Sequence, residues 1–388
     1  MKWQATNCKI IQNLITLPNT IKDRGGLSMT KMYENNVIET EKAVVFCPIE
    51  NEKDKAFQFA EIERLCTSAN LEVKKIFHQD IKAFNRRTIM GEGKLQEIKE
   101  FVKENDIEVL VVDFKLTGSQ LRNLSDELKI KVLDRILLII DIFALNAKSN
   151  EGKIEVKLAQ NKYLLTRLSS MQGSFGRFGG AGAGMRGPGE TKLELDRRKL
   201  ETEIQALERE IKKIKNSREQ NRLARKKSQI KSVVIGGYTN AGKSSLFNLL
   251  TKDDIYVKDK LFATLDTTCR KMFLGENQYC TLTDTVGFIS KLPHELVESF
   301  SSTLEEVKDA DLILHVVDVS DENYKRNIDI TNEILDNIGA TKNRLVILNK
   351  TDLINKPIEI KENEILFSVK NKTNLEQLKE EIKNRRYK

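Results

Sequence analysis

Cysteine and histidine are scarce in this chain, five of the one and three of the other among 388 residues. Cys8, Cys47, Cys66, Cys269 and Cys280 show no C-x-x-C spacing, and His78, His294 and His315 stand far apart. Neither a disulfide framework nor a structural metal site is indicated. Long hydrophobic runs are missing as well. The most apolar stretch, Ile136 to Leu145, is interrupted by Asp141 and falls well short of the roughly 20 apolar residues that a membrane-spanning helix needs. The N-terminus has no positively charged, apolar and small-residue succession of the secretory kind. A soluble, cytosolic chain is the expectation, and 388 residues with 39% hydrophobic content suffice for two or three domains with cores of their own.

Basic residues number 65 against 57 acidic ones, a modest net charge of +8. Their distribution is uneven. Between Arg197 and Lys231 stand 13 basic residues and 5 acidic ones. A solvated helix face accounts for such a run, and so does a polyanionic partner such as RNA.

Residues Gly237, Tyr238, Thr239, Asn240, Ala241, Gly242, Lys243 and Ser244 form a G-x-x-x-x-G-K-[ST] loop, with Ser245 following. An apolar run, Val233 to Ile235, precedes it, and a helical pattern, Leu246, Phe247, Leu249 and Leu250, follows it. That is the strand, loop and helix context a phosphate-binding loop requires. The glycines let successive backbone N–H groups and the helix start face an anion. Lys243 adds a cation, and the Ser244 hydroxyl is a hard oxygen suited to Mg²⁺. A strand pattern, Tyr279 to Thr283, then runs into Asp284-Thr285-Val286-Gly287. There Asp284 can hold Mg²⁺ through water, and Gly287 can offer its N–H to a γ-phosphate. Between the two lies Phe262-Ala263-Thr264-Leu265-Asp266, where a switch loop would supply a second hydroxyl for the metal. On chemistry alone Thr264, Thr267 and Thr268 compete for that role.

Asn349-Lys350-Thr351-Asp352 follows the strand pattern Leu345 to Leu348 and selects the base. The Asp352 carboxylate only accepts, so it suits the N1–H and N2–H donors of guanine and disfavours adenine. Asn349 can bridge base and loop, and the Lys350 stem can lie along the base plane. Ser368-Val369-Lys370, at the end of the strand pattern Glu364 to Phe367, could add a backbone N–H to the guanine oxygen. GTP as substrate and Mg²⁺ as cofactor follow.

The expected fold is α/β in three parts. Residues 1–35 read as a tail, with Met29 or Met32 as the natural start, and residues 36–150 as a small α/β domain of alternating strands and helices. Within it, Gly91-Glu92-Gly93-Lys94 reads as a helix-initiating turn. Residues 151–230 read as an antiparallel helical hairpin. Ile154, Leu158, Leu165 and Leu168, with Asn161 in the same seam, face Leu200, Ile204, Leu207, Ile211 and Ile214. Its loop, residues 173–189, holds 8 of the 20 glycines and no acid. A flexible linker is one reading of that loop. The other is an RNA probe, because Arg177 and Arg186 can approach phosphates while Phe175 and Phe178 stack on unpaired bases. Residues 231–388 read as a GTPase domain on a mostly parallel sheet.

These residues resemble the HflX GTPases, in the Obg-HflX group of translation-factor-like GTPases, over nearly all of the chain. Beyond the general GTPase motifs, the likeness is carried by Arg186-Gly-Pro-Gly-Glu-Thr-Lys-Leu-Glu-Leu-Asp-Arg-Arg198 and by the stretch from Asp134-Arg135 through Asp141-Ile-Phe-Ala144. Phe262-Ala-Thr-Leu-Asp266 and Leu292-Pro-His-Glu-Leu-Val297 carry it as well. The resemblance implies a bacterial GTPase that binds the large ribosomal subunit and its RNA, reaches toward the peptidyl transferase region with the hairpin, and splits stalled or idle ribosomes. It implies Ser244 and Thr264 as magnesium ligands, and Lys243, Thr264 and Gly287 at the reacting phosphate. A cytoplasmic monomer, peripheral at the membrane only through ribosomes, is implied too. The chain ends soon after Ser368-Val-Lys370, and no added C-terminal domain is expected.

Where many small GTPases place a water-orienting Gln after the D-x-x-G segment, this chain has Phe288, which cannot hydrogen-bond water. Slow intrinsic turnover, stimulated by the ribosome, is therefore the expectation. The same motifs also serve a GTP-dependent assembly or checkpoint factor, or a regulatory switch acting on protein partners.

Overall fold

The computed structural model describes residues 40–80, 85–175, 188–227, 230–251, 261–262, 268–275, 278–290, 306–340, 343–354 and 357–385. The expected tail lies outside them. The chain divides into two compact units, Met1–Asp141 with Arg167–Gly182, and Ile142–Thr166 with Ala183–Lys388.

The first unit is built on a parallel four-stranded sheet in the order β2-β1-β3-β4. Strand β1 (Glu41–Ile49) is buried from Ala43 onward, and all four residues of β3 (Val109–Val112) are buried. These are the continuous apolar runs of strands covered on both faces. β2 (Leu71–Asp80) is an edge strand with alternating exposure, and β4 (Lys131–Asp134) closes the other edge. Helices α1 (Lys55–Ser68), α2 (Glu92–Glu104) and α3 (Gly118–Leu128) connect the strands. Gly91 is the N-cap of α2, so Gly91 to Lys94 is a helix start as expected. Thr117 and Gln120 form a capping box that fixes the start of α3.

Inside this unit the buried Arg135 guanidinium bridges two carboxylates, Asp113 and Glu61, the second at 2.6 Å. Gln58 Nε2 donates to the other Asp113 oxygen at 2.7 Å. Burial works against the arginine charge, but the two carboxylates more than offset it and raise the Arg135 pKa. Removing Arg135 would take the shared counter-charge from both buried carboxylates. Helix α4 (Arg135–Asn146) begins directly at this arginine.

The helical hairpin is formed by α5 (Asn150–Phe175), which belongs to the second unit as far as Thr166, and α6 (Pro188–Lys227). Ile154 and Leu158 pack on Ile204 and Ile211, flanked by Leu165, Leu207 and Ile214. The polar pairs show the antiparallel sense, because the start of α5 meets the later part of α6 while the middle of α5 meets an earlier part. Glu151 pairs with Arg218 at 2.7 Å, Asn161 with Glu203 at 3.1 Å and Lys162 with Glu208 at 2.9 Å. Helix takes both ends of the expected loop: α5 continues through Phe175, and Pro188 opens α6, where its missing N–H costs nothing.

After the hairpin comes a six-stranded sheet in the order β10-β9-β8-β5-β7-β6. Its strands are β5 (Lys231–Gly237), β6 (Thr268–Gly275), β7 (Gln278–Asp284), β8 (Leu312–Asp318), β9 (Arg344–Asn349) and β10 (Glu364–Leu366). Only β6 runs antiparallel. Helices α7 (Lys243–Thr251) and α9 (Leu375–Arg385) share one core with Val233, Leu282, Leu314 and Ile347. α8 (Tyr324–Asn337) covers the opposite face through Leu335 against Val234 and Ile313. The fold is α/β with a mostly parallel sheet, as expected. Among the described residues no helix is long and apolar enough to cross a membrane.

Candidate functional site

Three parallel strands deliver the candidate residues at their carboxyl ends, where open α/β sheets bind ligands. β5 ends at Gly237 and the loop returns as α7 at Lys243, β7 ends at Asp284, and β9 ends at Asn349. Gly242 adopts φ +94°, and a Cβ there would lie 2.4 Å from Asn349 Nδ2. Only glycine lets the phosphate loop and the base segment approach this closely.

The Lys243 side chain is buried, and its Nζ donates to the Tyr238 carbonyl at 2.8 Å. Burial draws its pKa down to about 8, and the nearby Asp284 carboxylate opposes that fall. A partly desolvated ammonium in a cradle of backbone N–H groups is a setting in which a polyphosphate gains most from charge pairing. Ser244 Oγ donates to Asp284 Oδ2 at 2.7 Å. Two hard oxygen donors thus converge beside Lys243, which fits Mg²⁺ bound through few protein ligands, with nucleotide and water completing the shell. No cluster of three or more His, Cys, Asp or Glu able to hold a metal occurs among the described residues.

The segment after Asp284 is tied back onto the phosphate loop. Thr285 Oγ1 donates to Ile235 O at 2.7 Å, Thr239 N to Phe288 O at 2.9 Å, and Phe288 N to Gly237 O at 3.0 Å. Gly287 passes so close that a Cβ would sit 2.9 Å from both Lys243 Nζ and Thr239 Cα. The Phe288 side chain is buried against Val234, Ile313, Val307 and Ala310. It is a core anchor, and it presents no polar group to a nucleotide. The Tyr238 hydroxyl accepts from Ser290 N at 3.2 Å, closing the same seam. Sequence reasoning missed both this seam and the anchor, since their partners lie about fifty residues apart.

In the base segment, Asn349 Nδ2 donates to Ala241 O at 2.9 Å, and Asn349 Oδ1 accepts from Val369 N at 3.2 Å. One amide therefore binds the phosphate loop to the turn after β10. Ser368 Oγ donates to Asp352 Oδ1 at 2.6 Å, and that hydrogen bond holds the Asp352 pKa below the ordinary carboxylate value. The Thr351 hydroxyl donates to Phe367 O at 2.9 Å, and Lys350 ion-pairs with Asp318 at 2.6 Å, a partner the sequence did not suggest. Lys370 is exposed beside this turn.

Phe262 is buried, adopts φ +55° and meets the Phe143 ring edge-on, centroids 4.7 Å apart. Ala263, Thr264, Leu265, Asp266 and Thr267 lie outside the described residues, as do Arg177, Phe178 and Arg186. Phe175 ends α5, with its side chain outside the description.

Three family descriptions match the chain in succession: GTP-binding GTPase N-terminal over residues 57–144, GTP-binding GTPase Middle Region over 146–225, and 50S ribosome-binding GTPase over 232–350. The GTPase HflX of Caldanaerobacter subterraneus subsp. tengcongensis is 44% identical over 366 residues, 93% of this chain and 85% of that one. The chain belongs to the HflX family of GTPases. The GTPase HflX of Escherichia coli K12 is 41% identical over 295 residues, covering 75% of this chain and 68% of its own. Among solved structures, the complex of SsGBP with GDP aligns at a TM-score of 0.50 and 30% identity, covering 89% of this chain and 98% of the other. As an HflX GTPase, the protein binds GTP and hydrolyses it.

Proposed function

We propose that this HflX GTPase uses its nucleotide cycle to bind the large ribosomal subunit and its RNA and to separate stalled or idle ribosomes. The observation that carries the reading is the hairpin joined directly to the GTPase sheet. Its second helix has 40 residues, roughly 60 Å at the α-helical rise, and it leads back from a glycine-rich, basic loop. A helical hairpin whose connecting loop carries no acid suits a partner made of phosphate and unpaired bases. The description 50S ribosome-binding GTPase, matched by residues 232–350, supports the same partner. In this reading residues 36–150, 151–230 and 231–388 are the three working parts of a cytoplasmic monomer.

The chemistry divides among residues as follows. Gly237 to Ser245 cradle the phosphates, and Lys243 pairs with their charge. Ser244 and Thr264 hold Mg²⁺, with Asp284 acting through water. Gly287 offers its N–H to the γ-phosphate, Phe262 to Asp266 form the switch, and Asn349 to Asp352 with Ser368 to Lys370 read guanine. When bound, Mg²⁺ neutralises charge that develops on the phosphate oxygens. Phe288, buried as it is, orients no water, and GTPases that do carry a Gln there turn over at only about 10⁻⁴ s⁻¹ unaided. A partner must complete the site. Adding purified large subunits to the protein should raise GTP hydrolysis by at least about tenfold, a modest part of the roughly 10³- to 10⁵-fold that a charge-stabilising group supplied in trans can give. An unchanged rate would sink the proposal.

A further inference from the structure

Asp318 is the last residue of β8 and the cross-strand neighbour of Asn349, whose carbonyl accepts from Val319 N at 3.1 Å. Both of its carboxylate oxygens are engaged. Oδ1 accepts from Ser320 N at 3.0 Å and from the Ser320 hydroxyl at 2.5 Å, while Oδ2 takes Lys350 Nζ at 2.6 Å. One oxygen is thus locked by the turn that follows β8, which aims the other at the lysine. Lys350 itself has φ +65°, a left-handed backbone that throws its side chain out of the β9 register. The two side chains are only 27% and 20% exposed, so the pair is better shielded than an ordinary surface contact.

A lysine stem has four rotatable bonds, and a base that stacks on a loose one must freeze them when it binds. We propose that Asp318 is a positioning residue for guanine recognition. It holds the Lys350 ammonium in place before nucleotide arrives, so that the aliphatic stem is already laid out as a platform for the base. The inference rests on guanine-nucleotide binding alone and is independent of the ribosomal partner.

The test is a double-mutant cycle on the full chain with fluorescent GDP, measuring dissociation constants and release rates. Asp318→Asn should weaken binding by about five- to tenfold, mainly through faster release. In a Lys350→Met background the same substitution should change binding by less than about twofold, because the residue it positions is gone. Ser320→Ala, in an exposed turn, should cause a smaller loss of the same kind that also vanishes in the Lys350→Met background. It decides the matter if Asp318→Asn does not fold. A Lys350-independent loss, or binding indistinguishable from the parent in both variants, overturns the proposal. A parent chain that binds no GDP would instead refute the nucleotide site itself.

Discussion

Ser244 Oγ donates to Asp284 Oδ2 across 2.7 Å, linking the first turn of α7 to the end of β7. The two oxygens belong to segments forty residues apart, yet they meet beside a buried lysine.

Asp284→Asn keeps the shape of the side chain and removes its charge. GTP hydrolysis should fall by about a hundredfold, the order expected when electrostatic support for phosphoryl transfer is lost. GDP affinity measured with a chelator present should stay near the parent value, while the gain on adding Mg²⁺ should shrink. Equal magnesium dependence in parent and variant would contradict the assignment.

Asp352→Asn replaces an acceptor pair with an amide that must present one donor to the base edge. Guanine loses a partner and xanthine, with an oxygen at that edge, gains one. GTP affinity should drop by about a hundredfold and XTP affinity should rise, the scale of a charged hydrogen bond lost at a buried base edge. Competition binding with GTP and XTP reads the exchange, and an unchanged preference for GTP would refute the role.

His315 sits mid-strand in β8, buried, and neither ring nitrogen has a hydrogen-bond partner among the described residues. Burial first, then the charges of Arg344 and Lys243, push its pKa down to about 3. The folded-state value lies below the ordinary histidine value of 6.5, so between those limits the unfolded chain takes up a proton that the folded chain refuses. Stability is therefore lost as pH falls from 6.5 toward 3, by at most about 1.4 kcal/mol per pH unit. His315→Leu should flatten that slope and leave melting near neutral pH equal or higher, since no buried nitrogen remains unpaired. Identical pH slopes for parent and variant in thermal melts would exclude His315 as the cause.

What the sequence disclosed follows from where each element lies. β5, β7, β8 and β9 are interior strands, so Val233 to Ile235 and Leu345 to Leu348 read as apolar runs with polar motifs at their ends. Edge strands hide better. β2 and β6 carry Lys74, Lys75, Arg270 and Lys271 on exposed positions, and no run of apolar residues marks them. In α4, Ile136 to Ile140 are all buried, which leaves no helical period to detect. The hairpin seam was plain because its spacing is local, whereas the loop ends were not, because Pro188 starts a helix as readily as it interrupts one. The site contacts that escaped notice, Phe288 to the phosphate loop and Lys350 to Asp318, join distant segments that only the sheet order brings together.

The central claim, that the GTP cycle parts ribosomes, is tested most directly by sedimentation. Intact 70S ribosomes are incubated with the protein and GTP, with a non-hydrolysable GTP analogue, or with GDP, and resolved on sucrose gradients. A shift from the 70S peak to free subunits with GTP or the analogue, absent with GDP and absent for Lys243→Ala, is the predicted result. An unchanged 70S peak with the protein bound to it in every nucleotide state would contradict the claim.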